Sequence, residues 1–289
     1  MKIRDLLTHT PFSLSFEVFP PQREGSIESL YRTVEALREL QPQFFSVTYG
    51  AGGGTRDMTV EIASRIKNDH DSEVLAHLTC VQATRRDIAE ILKELQENNI
   101  VNILALRGDP PAGKENFATP KGGFGNASEL VDFIRSRGDF SIGVAGYPEV
   151  HIEALNLEAD VAYLKKKVDA GADFVITQLF FDNDSFYLFR DRALKTGINV
   201  PVIAGIFPLF NFKQIEKVTS LSNTKIPSAF YDKLFKVREK PEEVEKYGIE
   251  YAIAQAGDLI AHEIAGIHFY SMNRSRHVIR IVKELDLPH

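Results

Sequence analysis

The chain has 289 residues, 44% of them apolar, and a formal net charge of −6; it can bury a sizeable core but lacks the basic face that nucleic acid or an anionic membrane would require. No apolar run approaches the roughly 20 residues of a membrane span, and the N-terminus lacks a signal-peptide pattern, so the expectation is a cytoplasmic protein with neither nucleic-acid nor membrane partner. The single cysteine, Cys80, leaves no mate for an internal disulfide or for a thiolate metal cluster within the chain.

Eight short apolar runs recur along the sequence: Ser13–Phe19, Phe44–Tyr49, Val74–Cys80, Asn102–Gly108, Ser141–Tyr147, Phe174–Phe180, Val200–Phe207 and Gly266–Met272. They carry Val, Ile, Phe and Leu on both alternations, as strands buried on both faces of a parallel sheet do. Amphipathic stretches lie between them. Ser26–Leu40 has Ile27, Leu30, Val34 and Leu37 at helical spacing, and Arg86–Asn98 repeats this with Ile88, Ile91, Leu92 and Leu95. The first seven strand starts fall 26 to 39 residues apart, close to the size of a βα unit. The wider last gap predicts additional helices over Asn211–Ser220, Pro227–Lys236 and Pro241–His262. Eight such units without a break predict a single (β/α)8 barrel over residues 1–289, an α/β fold that commonly uses about 250 residues as one domain. A doubly wound sheet is the structural alternative.

Chemistry-bearing residues gather at the C-terminal ends of these runs, where barrel enzymes build their sites. In Phe16-Glu17-Val18-Phe19-Pro20-Pro21 a carboxylate sits inside an apolar strand. Desolvation there raises its pKa towards that of a general acid usable at neutral pH; a strand-end Glu held by a salt bridge or an amide is the plainer reading, and both stand. Thr48-Tyr49-Gly50-Ala51-Gly52-Gly53-Gly54-Thr55 is a Gly-rich turn that lets backbone amides approach a ligand. It is no dinucleotide fingerprint, because the third glycine of G-x-G-x-x-G would fall on Thr55. Arg107-Gly108-Asp109-Pro110-Pro111 sets a fixed cation beside a carboxylate, either as a structural pair or as ligand contacts. His77 reads equally as a hydrogen-bonded core residue.

Gly146-Tyr147-Pro148-Glu149-Val150-His151 leads into a helix carrying Asp160, Lys165, Lys166 and Lys167. Such lysines usually form a solvated face, but one or two above a barrel mouth could meet a diphosphate. Gln178 lies within an apolar run, where its amide must find partners and could pair with the donor–acceptor edge of a heterocycle. No metal site is expected, since His262, Glu263 and His268 lack ligand spacing, and no G-x-S-x-G marks a hydrolase.

Together these segments resemble methylenetetrahydrofolate reductase over roughly residues 11–285. The pieces that carry the resemblance are the Phe16 to Pro21 run, Val47-Thr48-Tyr49-Gly50-Ala51-Gly52-Gly53, Ala105-Leu106-Arg107-Gly108-Asp109-Pro110-Pro111, the Gly146 to His151 run, Ile176-Thr177-Gln178-Leu179-Phe180-Phe181-Asp182 and His268-Phe269-Tyr270-Ser271-Met272-Asn273-Arg274. The resemblance covers the catalytic barrel, as in the short bacterial type, and implies FAD-dependent reduction of 5,10-methylenetetrahydrofolate to 5-methyltetrahydrofolate by ping-pong hydride transfer, in methionine supply or an acetogenic methyl branch. It implies Glu17 as general acid and Asp109 as the carboxylate beside flavin and pterin. Thr48, Tyr49, Ala51, His77, Arg107, Gly108, Asp109, Tyr147, His151, Asp160, Tyr163, Lys166 and Lys167 occupy the FAD-binding positions, and Gln178, Gln214 and Arg274 those for substrate or nicotinamide.

Three positions depart from the family pattern. Lys166 is Arg in some relatives, Tyr163 stands where better-known members carry a smaller polar residue, and Val218 stands where some bacterial relatives place an aromatic ring. The electron donor implied is NADH, NADPH or another reductant. A symmetric homo-oligomer is the default expectation. Two other readings share the barrel: a flavin-free pterin methyltransferase, and a subunit active only with a partner protein, for which Phe207, Phe210, Phe212 and Phe230 would supply either a contact surface or core.

Overall fold

Among the residues that the computed structural model describes (1–21, 27–49, 55–109, 119–222 and 224–288), eight parallel strands close into a barrel in sequence order. They are β1 (Ser13–Val18), β2 (Phe44–Val47), β3 (Val74–Thr79), β4 (Asn102–Leu106), β5 (Ser141–Gly146), β6 (Phe174–Thr177), β7 (Val202–Ile206) and β8 (Gly266–Tyr270). Closure is the β8–β1 pairing, from Gly266 opposite Ser13 to Tyr270 opposite Glu17. A doubly wound sheet is open, with two unpaired edge strands, whereas here every strand is paired on both sides, so the barrel expectation holds. The helices are α1 (Ile3–His9), α2 (Ile27–Arg38), α3 (Thr55–Asn68), α4 (Arg85–Glu97), α5 (Ala127–Arg137), α6 (Leu157–Asp169), α7 (Asn183–Lys195), α8 (Lys213–Ser222), α9 (Ser228–Lys236), α10 (Pro241–Ala261) and α11 (Ser275–Lys283). None is long and apolar enough to cross a membrane.

Each strand ends before its apolar run does. Phe180, Phe181 and Phe207 are buried yet lie beyond the strands, because hydrophobic patterning reports burial while a strand ends where its ladder ends. The strand residues facing outward, such as Phe16, Phe45, Ile103, Val144, Val175 and Phe269, share one core with the helix stripes. Leu30, Val34 and Leu37 of α2 and Ile88, Ile91, Leu92 and Leu95 of α4 are buried as their spacing predicts. Thr84 and Asp87 form a reciprocal capping box at the start of α4. Inside the barrel, Phe44, Leu75, Leu104, Phe174, Ile176 and Ile203 pack around Ile3.

Ile3 belongs to α1, a helix that periodicity does not reveal. It plugs the N-terminal end of the barrel, and barrel side chains cap it: the Ile3 N–H donates to Asn102 Oδ1 at 2.8 Å and the Arg4 N–H to Ser141 Oγ at 3.0 Å. Lys2, at the N-cap, makes no side-chain cap bond, so these two side chains satisfy amides that a helix otherwise leaves orphaned. Asn102 Nδ2 donates in turn to the Met1 and Val74 carbonyls, each at 3.2 Å. Asn102→Ala should therefore destabilise the fold by about 2 kcal/mol, the cost of stranding buried polar groups. A urea midpoint unchanged by the substitution would show that α1 needs no such anchor.

A second core covers the C-terminal side of the barrel. Phe181, Phe207, Leu209, Ile215, Val218, Phe230, Leu234 and Val244 form it, with Phe212, Tyr270 and Met272 packed against it. Phe207, Phe210 and Phe230 are buried, which answers the choice between core and contact surface for those three rings.

Candidate active site

The barrel interior changes from apolar to polar as it rises towards the strands' C-terminal ends. His268 on β8 marks the change. Its ring stacks on Phe44 with centroids 5.9 Å apart, its Nδ1 lies 2.8 Å from Ser15 Oγ and its Nε2 3.1 Å from Ser46 Oγ. Burial pushes its pKa down to about 3, so a neutral imidazole joins β1, β2 and β8 as a polar floor.

Glu17 stands two residues above Ser15, on the same face of β1. Burial pushes its carboxyl up to about 8, with a hydrogen bond from Thr48 offsetting part of the rise. A salt bridge is the plainer explanation for such a residue, but the titratable side chain it approaches is His77, with Nε2 3.6 Å from Oε2. Burial drives His77 to about 3, so this imidazole is neutral and provides no counter-charge. Its Nε2, buried, has no hydrogen-bond partner among the described residues, as befits an atom at a ligand site. The structure thus joins Glu17, Thr48 and His77, from three separate strand ends, around one neutral carboxyl.

The surroundings hold the backbone of these strand ends in place. The Ser271 hydroxyl donates to the Glu17 carbonyl. Asn273 brackets Phe19, accepting its N–H at 3.2 Å and donating to its carbonyl at 2.9 Å. The Tyr270 hydroxyl donates to the Thr177 carbonyl at 2.7 Å. Burial and the nearby Glu17 raise the Tyr270 phenol well above its ordinary pKa, so it remains a donor. Tyr270, Ser271 and Asn273 lie in a segment that carries the resemblance, but the sequence assigned them no role, because their partners are main-chain groups of β1, β6 and the loop after β1 that only the fold brings near.

A cavity of about 330 Å³ opens at the same end of the barrel, over the ends of β4 and β5 and against α5 and α6. Arg107, Tyr147, His151, Asp160, Tyr163 and Lys167 line it, together with residues 125–128 at the start of α5. Lys167 donates to the Ala145 carbonyl, and burial lowers its pKa to about 8 while Asp160 works against that. Asp160, itself buried, accepts the His151 N–H at 2.8 Å, and the Tyr147 and His151 rings meet edge to face at 4.6 Å. The Lys167 ammonium and the N-terminus of α5 converge on this cavity and suit a diphosphate, and the Arg107 guanidinium would join them on exchanging its partner Glu153 for a phosphate. The donor set therefore fits the phosphates of a dinucleotide.

Other expected residues are placed differently. The guanidinium of Arg107 takes Glu153, with Nη2 2.8 Å from Oε1, while its neighbour Asp109 is exposed. Gly108 has φ +87°, and a Cβ there would meet Val81 Cγ1 at 2.6 Å, so only glycine suits this position. Of the three lysines only Lys167 turns inward; Lys165 pairs with Asp169, and Lys166 is exposed, its Nζ 4.8 Å from the Tyr163 ring centroid. Gln178 donates its own N–H to the Gly146 carbonyl at 2.7 Å, and its Oε1 accepts from the Leu179 N–H at 2.9 Å; its side-chain NH2 makes no hydrogen bond among the described residues. Gln214 Oε1 accepts the Phe210 and Asn211 N–H groups at 2.6 and 3.0 Å, bracing the turn before α8. Arg274 is exposed at the start of α11, and Tyr49 is half-buried against the main core. Ala51 lies outside the described residues, as do positions 50 and 52–54 of its Gly-rich turn.

Comparison of the sequence with known proteins shows one family. Residues 2–286 match the family described as methylenetetrahydrofolate reductase. The chain is 41% identical over 297 residues to the Arabidopsis thaliana protein named methylenetetrahydrofolate reductase (NADH) 1, covering 99% of this chain and 50% of that one; it spans about half the length of the plant relatives it matches. It is 40% identical to the Escherichia coli 5,10-methylenetetrahydrofolate reductase, covering 91% of this chain and 87% of that one. A solved Clostridium thermocellum structure, described as binding two copies of 5-methyl-5,6,7,8-tetrahydrofolic acid, shares the fold with a TM-score of 0.67 at 15% identity, covering 98% of this chain and 96% of that one.

Proposed function

The chain belongs to the methylenetetrahydrofolate reductase family, and from that premise we propose that it reduces 5,10-methylenetetrahydrofolate to 5-methyltetrahydrofolate with FAD as its resident cofactor. The observation that carries the proposal is Glu17: a neutral carboxyl, held near pKa 8 by burial, at the mouth of a barrel whose same end opens a cavity that suits a dinucleotide. The chemistry that bound FAD supplies is hydride storage, filled by a reductant and emptied onto the folate's methylene carbon.

The protein's own groups divide the remaining work. Lys167, Arg107 and the first turn of α5 would hold the diphosphate, with Tyr147, His151 and Asp160 enclosing it. Glu17 would give its proton to the ring nitrogen that leaves as the five-membered ring opens, which makes the methylene carbon electrophilic. The Thr48 hydroxyl, hydrogen-bonded to the carboxyl, would orient it. The amide NH2 of Gln178 and the carboxylate of Asp109 would dock the pterin, and Arg274 the acidic tail. Val218 is buried among apolar neighbours, so it packs in the second core and offers a nicotinamide donor no ring to stack on. The donor we propose is NAD(P)H or another reductant; the plant relatives carry NADH in their names. We also assign the chain to one barrel domain and, by default, to a symmetric homo-oligomer.

Anaerobic addition of 5-methyltetrahydrofolate to the purified protein tests this reading. A flavin absorption band should bleach as the reverse half-reaction runs. Protein that takes up no flavin on reconstitution would instead be a flavin-free pterin enzyme, and a flavin band that persists with substrate present would overturn the proposed chemistry.

A further inference from the structure

Tyr163 is the residue of the cavity lining that the anion-binding role leaves unused. It lies on α6 and is 57% exposed, although a tyrosine ring gains by burial. Asp160, Tyr163 and Lys167 recur at helical spacing on one face of α6 and all line the cavity. Lys167 and Asp160 serve its polar interior, whereas Tyr163 forms a rim. Lys166, one helical turn on, holds its ammonium 4.8 Å from the ring centroid, a cation–π contact that restrains the ring. Ile152 and Leu155, on the loop that also lends His151, Glu153 and Ala154 to the cavity, are 64% and 94% exposed. An exposed, restrained ring and two exposed aliphatic side chains beside an anion site match the needs of a planar heterocycle whose phosphates point inward.

We infer that Tyr163 is a stacking platform for the adenine end of the dinucleotide, so that this chain grips the nucleoside through a ring face. The inference rests on the FAD reading above and adds to it a determinant of FAD over FMN, which lacks the adenosine.

The test titrates apo-protein with FAD and, separately, with FMN, following flavin fluorescence, for wild type, Tyr163→Ser and Tyr163→Phe. Tyr163→Ser should weaken FAD about tenfold, the scale of one lost base–aromatic stack. It should leave FMN affinity unchanged, and Tyr163→Phe should keep wild-type affinity for both. Equal loss for the two flavins, or no loss of FAD affinity in Tyr163→Ser, would overturn the inference while leaving the flavoprotein reading intact. Wild-type protein that binds neither flavin would remove both. The side chain is exposed, so the Ser variant should fold, and an unchanged circular dichroism melt confirms it.

Discussion

Glu17→Gln should lower the folate half-reaction at least about a hundredfold, the scale of general acid catalysis, and leave reduction of the flavin by its donor unchanged. The amide matches the neutral carboxyl in shape and polarity but has no acidic proton to give. It also introduces no buried charge, so the variant should fold like the parent, and a loss confined to one half-reaction would identify a proton function. Wild-type pH dependence provides an independent check. With a pKa near 8, the acid form prevails at neutral pH, and kcat/KM for folate reduction should fall as pH rises through about 8. The reverse half-reaction needs the ionised form as base and should rise over the same range.

Stability carries the same signature. Between the ordinary carboxylate value of 4.5 and about 8, folded Glu17 holds a proton that the unfolded chain has lost. The stability linked to that proton is fully present below 4.5 and is lost as pH rises through about 8; Glu17→Gln should remove this slope. Folate turnover surviving in Glu17→Gln, or a flat wild-type profile across pH 8, would sink the acid role.

Glu17 was legible in the sequence because a charged residue inside an apolar run has only a few physical explanations. Choosing between them required the structure, since only the barrel shows that its neighbour His77 is a neutral imidazole. Strand count and closure were legible for a related reason: residues buried on both alternations imply a sheet covered on both faces. Helix α1 was not. Its seven residues are too few to show a period, and its meaning lies in contacts to Asn102 and Ser141, 99 and 137 residues away in sequence. The Arg107–Glu153 pair is hidden in the same way, because the adjacent Asp109 offers a more obvious local mate. The three consecutive lysines could have been resolved further. Counting back from Lys167 by helical steps reaches Tyr163 and Asp160, so the inward-facing lysine had a signal in the spacing of its polar and aromatic neighbours.

Gly248→Ala in α10 should destabilise the protein by about 3 kcal/mol, although helix propensity alone predicts a gain of about 1 kcal/mol for this exchange. Contact geometry decides the sign. A Cβ at position 248 would lie 1.7 Å from the Leu209 carbonyl oxygen and 2.8 Å from its carbon, and backbone cannot rotate away as a side chain can. α10 must therefore back off from the segment following β7, or that segment must shift. The same segment carries Phe207, Leu209 and the turn braced by Gln214, so the second core over the barrel mouth should loosen with it. KM for folate should rise, whereas FAD affinity, which depends on the cavity over β4 and β5, should hold. At about 2–4 °C per kcal/mol for a chain of this size, the melting temperature should fall by roughly 6–12 °C. Gly257→Ala supplies the control: it lies in the same helix, and a Cβ there meets nothing within 4 Å. Propensity is then unopposed, and that variant should gain up to about 1 kcal/mol. Opposite signs for one substitution in one helix would show that the close approach of α10 to Leu209, and not helix stability, sets the form of the barrel mouth; equal shifts in the two variants would refute it.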